Sequence, residues 1–245
     1  MSKEEQDEYV ENIKAEYEKV KEFEFKTFDK IKEETKDADK KYFKLKKELS
    51  LKDEVLYITA QEHSLPSSML AMIKYIKTEK NDYKQIVVAN SENKAECEDR
   101  LKRYNFSDVT VIGSDNEEYI KALCEAKYIF SDRALEYFFE IKEGQKYINL
   151  QTDCISAKMA KKREMEYFEF ATAQKSIIAS SASVYLNEVS QNSFEKAYRC
   201  EMLPTSTVIA DSPALDMAGV TSFATANDKI KILFTPQFKA TNGKN

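Results

Sequence analysis

Two different spacings of apolar residues divide the chain near residue 53. Before that point the apolar positions recur every three or four residues, which places side chains on one face of a helix. More than half of residues 1–53 are charged. The pattern predicts a charged amphipathic helix or helical hairpin whose apolar positions form two sets: Val10, Ile13, Tyr17 and Val20, then Phe28, Ile31, Ala38, Tyr42, Leu45 and Leu49.

Three roles for residues 1–53 fit this pattern. The helices could pack against the rest of the chain, pair with a second copy as a coiled coil, or lie on a membrane surface. Glutamate on the polar face opposes the last role, because it repels anionic lipid. If the segment serves only for docking to a partner or a membrane, removal of residues 1–50 leaves the remaining domain folded.

From residue 54 to about 228, short apolar or β-branched segments alternate with helical patterns. This alternation predicts βαβ units and a parallel, doubly wound sheet of about seven strands, with helices on both faces. The predicted helices include Met69–Ile76, Cys97–Tyr104, Tyr119–Cys124 and Val184–Tyr198. The predicted strands are Val55–Thr59, Gln85–Asn90, Val109–Gly113, Tyr128–Ser131, Tyr147–Leu150, Ser176–Ala179, Thr207–Ala210 and Ile230–Thr235. We expect residues 229–245 to be a tail or the start of a second domain.

Composition excludes several classes of function. The chain has only 4 glycines, where average usage predicts about 17, and they are too far apart for a glycine-rich phosphate loop. A net charge of -5 gives no footprint for nucleic acid. The four cysteines are scattered and there is one histidine, so we expect neither a disulfide framework nor a metal site. No transmembrane helix or secretory signal is predicted.

Polar loops follow three predicted strands, at the strand ends where α/β proteins bind ligands. His63 and Ser64 follow the first strand, Asp153 follows Tyr147–Leu150, and Asp211 follows Thr207–Ala210. Asp153 fits a general base, although a loop aspartate also caps helices. His63 is either a cleft residue or an ordinary loop residue. The basic run that starts at Lys158 fits either a phosphorylated ligand or a solvated helix face.

Several stretches resemble the CDP-glycerol glycerophosphotransferases, the teichoic acid primases and polymerases of Gram-positive bacteria. The resemblance runs from Val55 to about Phe238 and rests on an alanine-lysine-tyrosine strand, a glycine-glutamine-x-tyrosine strand and a loop that ends in lysine. These are Ala126-Lys127-Tyr128, Gly144-Gln145-Lys146-Tyr147 and Lys158-Met159. The resemblance implies one Rossmann-like half of a two-domain GT-B-type glycosyltransferase, preceded by an accessory helical region.

The sequence departs from this family at three motifs. Asp153 stands where the family's His-Gly-Thr motif has its catalytic histidine, and Cys154-Ile155 replace the glycine and threonine. The Gly-Tyr-Pro-Arg-x-Asp motif is represented by Ala210–Asp216, and the Pro-Thr-x-Arg motif by Pro236–Lys239. A carboxylate can replace an imidazole as general base if it reaches the acceptor hydroxyl.

The resemblance implies an acceptor-side domain of a teichoic-acid-type glycerophosphotransferase, truncated or degenerate, at the cytoplasmic face of the membrane. Asp153 is then the base, and His63, Ser64, Lys158 and Asp211 line the site for a polyol-phosphate or glycan acceptor. No cofactor is expected, and the donor CDP-glycerol requires a second domain, so the chain alone is expected to be inactive. The alternative is a non-catalytic binding or scaffolding module that docks an envelope-synthesis partner through residues 1–53.

Overall fold

A parallel β-sheet organises the described part of the chain. The computed structural model describes Lys3 and residues 10–18, 38–59, 65–80, 82–90, 92–114, 117–151, 167–201 and 206–218. Within these residues the sheet has seven strands: β1 (Lys52–Ile58), β2 (Lys84–Ala89), β3 (Thr110–Gly113), β4 (Ala126–Ser131), β5 (Lys146–Gln151), β6 (Ala182–Tyr185) and β7 (Thr207–Ile209). All neighbouring strands are parallel, in the order β3-β2-β1-β4-β5-β6-β7.

Helices cover both faces of the sheet, and the central strands are therefore buried on both sides. Residues 10–18 are helical. The other helices are α1 (Ala38–Glu48), α2 (Ser67–Glu79), α3 (Lys94–Arg103), α4 (Glu117–Glu125), α5 (Tyr167–Ala179), α6 (Glu188–Tyr198) and α7 (Ala214–Ala218). One apolar cluster joins α1 and α4 to the sheet through residues such as Tyr42, Leu56 and Ile129. The other joins α2 and α3 to the opposite face, where Tyr57 stacks on Phe130.

Helix α1 is part of the core. Tyr42 is fully buried and packs against Phe138 and Phe139. Its hydroxyl donates to the Glu140 carbonyl oxygen at 2.7 Å and accepts from the Glu140 amide at 3.2 Å. An ion pair of 2.8 Å between Lys46 and Glu140 adds a contact at the surface. Residues 38–48 therefore pack against the α/β sheet, while the domain boundary at residue 53 stays a prediction.

Two of the predicted elements are wrong. Ser176–Ala179 lies in helix α5 instead of in a strand. A short apolar segment does not distinguish a strand from a buried helix, and here Ala173 and Ile177 share one buried helical face while Ile178 is exposed. The predicted helix Val184–Tyr198 begins only at Glu188.

The start of α6 follows from its cap. The Asn187 side chain accepts a hydrogen bond of 2.8 Å from the Ser190 amide, which satisfies one of the free amides at the helix start. Val184 and Tyr185 belong instead to β6, where they pair with β5 and β7. A helical period across residues 184–198 therefore hid a strand-to-helix boundary.

The predicted α/β class with a Rossmann-like parallel sheet is confirmed. Predicted strand Ile230–Thr235 lies outside the described residues. Among those residues, Cys97, Cys124 and Cys200 are free and buried, and burial raises the pKa of Cys124 and of Cys200 to about 11. No helix in the described part of the chain is long and apolar enough to cross a membrane.

Candidate functional site

The carboxyl ends of the strands meet at one edge of the sheet, because all seven described strands are parallel. The strand order reverses between β1 and β4: β2 and β3 lie on one side of β1, and β5 to β7 lie beyond β4. Such a reversal opens a crevice outside the carboxyl ends of the two central strands, where α/β proteins bind their ligands. The residues that follow Ile58 and Ser131, which are register partners, therefore form the centre of the candidate site.

Thr59 and Asp132 are these two residues, and a hydrogen bond joins them. Thr59 Oγ1 donates to Asp132 Oδ2 at 3.1 Å, and the Asp132 amide donates to the Ile58 carbonyl oxygen at 3.3 Å. Both side chains are half-buried. The geometry places a carboxylate and a hydroxyl side by side at the switch point between β1 and β4.

A charged network holds the turn after β4. The Arg133 guanidinium donates to the Glu136 carboxylate at 3.0 Å and to the Ala134 carbonyl oxygen at 3.0 Å. The Tyr119 hydroxyl donates to the other Glu136 oxygen at 2.5 Å and accepts from Arg133 at 3.3 Å. Burial and the adjacent Glu136 charge raise the pKa of Tyr119, so its phenol stays protonated. The network links the turn to helix α4.

A row of buried polar side chains crosses the sheet next to this turn. Ser131, Asn149 and Ser183 are register partners on β4, β5 and β6, and each is at least 98% buried. The Ser131 hydroxyl donates to the Arg133 carbonyl oxygen at 2.9 Å, and Asn149 accepts from Gln151 at 2.9 Å. Because buried polar groups must be satisfied, these bonds fix the strand ends that border the crevice.

Most residues predicted for the site lie outside the described residues: His63, Ser64, Asp153 and Lys158. The strands that precede them, β1 and β5, end at the described edge, separated only by β4. Asp211 is described, and it is exposed two residues after β7. Four strand spacings separate β7 from β1, which corresponds to about 19 Å. Asp211 therefore shares the edge with the crevice but lies far along it, and its role in acceptor binding stays a prediction.

Asp132 and Arg133 are not among the residues predicted for the site. Their signal was the same as for the predicted loops, since both are polar and follow the predicted strand Tyr128–Ser131. The sequence does not show which strand ends are neighbours in the sheet. Thr59 and Asp132 are 73 positions apart, and only the pairing of β1 with β4 brings them together.

A second polar concavity lies at the opposite, amino-terminal edge of the sheet, with a volume of about 230 Å³. Two carboxylates that line it are largely buried and paired. Glu125 pairs with Lys52 at 2.7 Å, and Glu54 with Lys84 at 3.5 Å. In the described part of the chain, three or more metal-ligating side chains do not come together anywhere.

Most of this chain matches one known protein family. The family of CDP-glycerol:poly(glycerophosphate) glycerophosphotransferases matches residues 41–242. The chain belongs to this family. The matched region includes most of α1, all seven strands and both residues at the switch point. It confirms the resemblance predicted from Val55 to about Phe238 and extends it back to residue 41. No curated protein sequence matches the chain.

Solved structures agree at the level of the fold. The wall teichoic acid polymerase TagF superposes with a TM-score of 0.52 at 12% identity, covering 81% of this chain and 49% of TagF. A TagF variant soaked with CDPG superposes with a TM-score of 0.52 at 13% identity, covering 80% of this chain and 49% of that one. The chain thus spans about half the length of these structures.

Proposed function

We propose that this chain is the acceptor-side domain of a teichoic-acid-type glycerophosphotransferase, acting in cell-wall or capsular polymer synthesis. The observation that carries the proposal is the family match over residues 41–242, which includes the crevice between β1 and β4. In this proposal the chain binds the acceptor, a polyol phosphate or glycan. The fold is then one half of a two-domain GT-B-type enzyme.

The proposed general base is Asp153. Its carboxylate would take the proton from an acceptor hydroxyl while that oxygen attacks the glycerol-bearing phosphorus of CDP-glycerol and CMP leaves. A base must lie within hydrogen-bond reach of that proton. Strand β5, which leads to Asp153, ends two strand spacings from β1, or about 10 Å. That distance is small enough for a loop residue to reach the crevice.

Around the base we place His63, Ser64, Lys158 and Asp211 as acceptor-binding residues. The Lys158 ammonium suits an acceptor phosphate, because a cation offsets the charge of a phosphoryl group. His63 and Ser64 belong to the segment that follows β1, next to the switch point. No metal or other cofactor is part of the proposal.

The donor site is proposed to lie in a second domain or a partner chain. The 4 glycines of this sequence are too far apart for a phosphate-binding loop. Transfer from CDP-glycerol requires compensation of the pyrophosphate charge. The TagF structures that share the fold are about twice as long as the matched region. The chain alone is therefore proposed to be inactive.

A second candidate function is a non-catalytic binding or scaffolding module of an envelope-synthesis complex. The specific observation that favours it is Asp153-Cys154-Ile155, in place of the His-Gly-Thr motif implied by the family. In that case residues 1–53 would dock the partner or the inner face of the membrane. Both candidates place the protein on the cytoplasmic side.

Reconstituted transfer separates the two candidates. The chain would be mixed with the separately expressed donor-binding half of a TagF-type enzyme, radiolabelled CDP-glycerol and a glycerol-phosphate primer. We expect label in the polymer fraction only when both proteins are present, since each supplies one substrate site. A mixture that is no more active than the donor half alone, although both proteins are folded, would favour the scaffolding function.

A further inference from the structure

The side-chain amide of Asn149 is a nearly buried donor beside the crevice. Asn149 is only 2% exposed, and its side-chain oxygen accepts a hydrogen bond of 2.9 Å from Gln151 Nε2. Among the residues that the structure describes, the Asn149 amide nitrogen donates no hydrogen bond. Side-chain nitrogens and oxygens there that are fully shielded from solvent all have partners. The Asn149 nitrogen therefore opens onto the surface beside the crevice.

The neighbouring side chains do not supply an acceptor for this nitrogen. Ser131 and Ser183 flank Asn149 on the adjacent strands. The Ser131 hydroxyl donates to the Arg133 carbonyl oxygen, and the Ser183 hydroxyl bonds to that of Ser180 at 3.1 Å. Each serine is thus engaged in its own turn. Because a nearly buried donor without an acceptor is costly, this nitrogen points to an acceptor from outside the chain.

Asn149 and Gln151 together form a neutral set of donors. Each side-chain amide carries two N–H groups, and the bond between the two residues uses one of the four. Three N–H groups remain, whichever way the two amides are turned. The bond between them also holds both side chains in place, as a binding site requires. Such a set suits an oxygen that only accepts hydrogen bonds, and a phosphate oxygen is of this kind.

We propose that Asn149 and Gln151 form an oxyanion subsite for a phosphodiester of the acceptor. This inference rests on the proposed function and deepens it by assigning residues that hold the acceptor phosphate. The two amides donate to its non-bridging oxygens, while Lys158 is the residue proposed to offset its charge. Asp153 follows Asn149 by four residues, at most about 13 Å along the chain. One acceptor molecule can therefore contact both the subsite and the base.

Nuclear magnetic resonance of the full chain tests the subsite without any substitution. The probes are glycerophosphoglycerol, a phosphodiester of two glycerols, and diglycerol, which has an ether oxygen in place of the phosphate. We expect the side-chain amide signals of Asn149 and Gln151 to shift with the phosphodiester and to stay unchanged with diglycerol. Equal shifts with both probes, or shifts with neither, would overturn the inference.

Inorganic phosphate distinguishes a subsite for the acceptor from a site for the free ion. We expect inorganic phosphate to bind more weakly than glycerophosphoglycerol, because it lacks the polyol groups that the rest of the crevice would contact. Equal or tighter binding of inorganic phosphate, followed through the same amide signals, would overturn the assignment to the acceptor.

Variants give the second readout. Asn149→Asp keeps the size of the side chain but replaces its N–H donors by a carboxylate oxygen, and we expect it to raise the Kd of glycerophosphoglycerol at least ~10-fold. Gln151→Glu makes the same change at the half-buried member of the pair and should raise the Kd less. Asn105→Asp is the matched control, because Asn105 is exposed in the turn that follows α3, and it should bind like the wild type.

The outcomes separate this inference from the proposed function. If the wild type binds glycerophosphoglycerol and supports transfer with the donor half, but Asn149→Asp binds equally well, the subsite is wrong and the acceptor function stands. If the phosphodiester binds through Asn149 but transfer is absent, the subsite stands and the transferase function is wrong. If the wild type shows neither binding nor transfer, both are wrong. If Asn149→Asp fails to fold, Gln151→Glu and the probe comparison on the wild type decide.

Discussion

Replacement of Tyr42 by alanine is expected to lower the free energy of unfolding by about 4 kcal/mol, the cost of truncating a large buried aromatic side chain. Tyr42 is fully buried between Phe138 and Phe139, and the substitution also removes both hydrogen bonds to Glu140. Domains are typically stable by only 5–15 kcal/mol, roughly. Thermal unfolding should therefore occur about 8–16 °C lower in the variant.

Tyr75→Ala is the matched control for this prediction. Tyr75 also lies in a helix but is 58% exposed, so its truncation should change stability by less than about 0.5 kcal/mol. Tyr42→Phe keeps the ring and loses only the hydroxyl contacts, and we expect an intermediate loss of about 1–2 kcal/mol. Similar midpoints for Tyr42→Ala and Tyr75→Ala would show that α1 does not stabilise the core.

Two truncations test which part of the charged amino-terminal region stabilises the fold. A role limited to docking predicted that the domain stays folded without residues 1–50. Because Tyr42 belongs to the core, we now expect removal of residues 1–50 to unfold the protein or to lower its midpoint at least as far as Tyr42→Ala does. Removal of residues 1–36 spares α1 and should leave the midpoint within a few degrees, as measured by circular dichroism.

The second large effect concerns activity. Asp153→Asn is expected to lower the rate of transfer in the reconstituted reaction about 100-fold or more. An amide cannot take the proton from the acceptor hydroxyl, and general-base catalysis contributes a factor of this size. The side chain keeps its shape, so the thermal midpoint should be unchanged. The measurement is the initial rate of label incorporation with saturating donor half.

Two controls show whether a lost rate reflects the base. Asp108→Asn makes the same change at an exposed surface position and should keep the wild-type rate. If Asp153 acts as the base, the wild-type rate should also fall at low pH as that carboxylate becomes protonated, while the residual rate of Asp153→Asn should lack this step. A fully active Asp153→Asn variant would show that Asp153 is not the general base. The family match would then support the fold but not this mechanism.

The fold class could be predicted from the sequence because parallel strands that are buried on both faces appear as short, continuous apolar segments. Val55–Ile58 and Ile86–Ala89 are continuous apolar segments, and both are buried strands. Ser176–Ala179 is also short and mostly apolar, but it completes the helical face of Ala173 and Ile177. Only the packing of α5 against the sheet decides between these two structures. A single short segment therefore could not be assigned correctly from its own residues.

The candidate site was only partly predictable for a different reason. Polar residues after strands can be found in any α/β sequence, and His63, Asp153 and Asp211 were predicted as site residues for that reason. The strand order decides which strand ends, and so which of these residues, lie close together. That order cannot be determined from a single sequence. The reversal between β1 and β4 selects Thr59 and Asp132, and it places Asp211 at the far end of the same edge.

We propose that this chain holds the acceptor and not the donor. Isothermal titration of the purified full chain with a short glycerol-phosphate oligomer, and separately with CDP-glycerol, tests it most directly. We expect saturable heat with the oligomer and none with CDP-glycerol at the same concentrations. Micromolar binding of CDP-glycerol would contradict it, because the chain would then contain its own donor site.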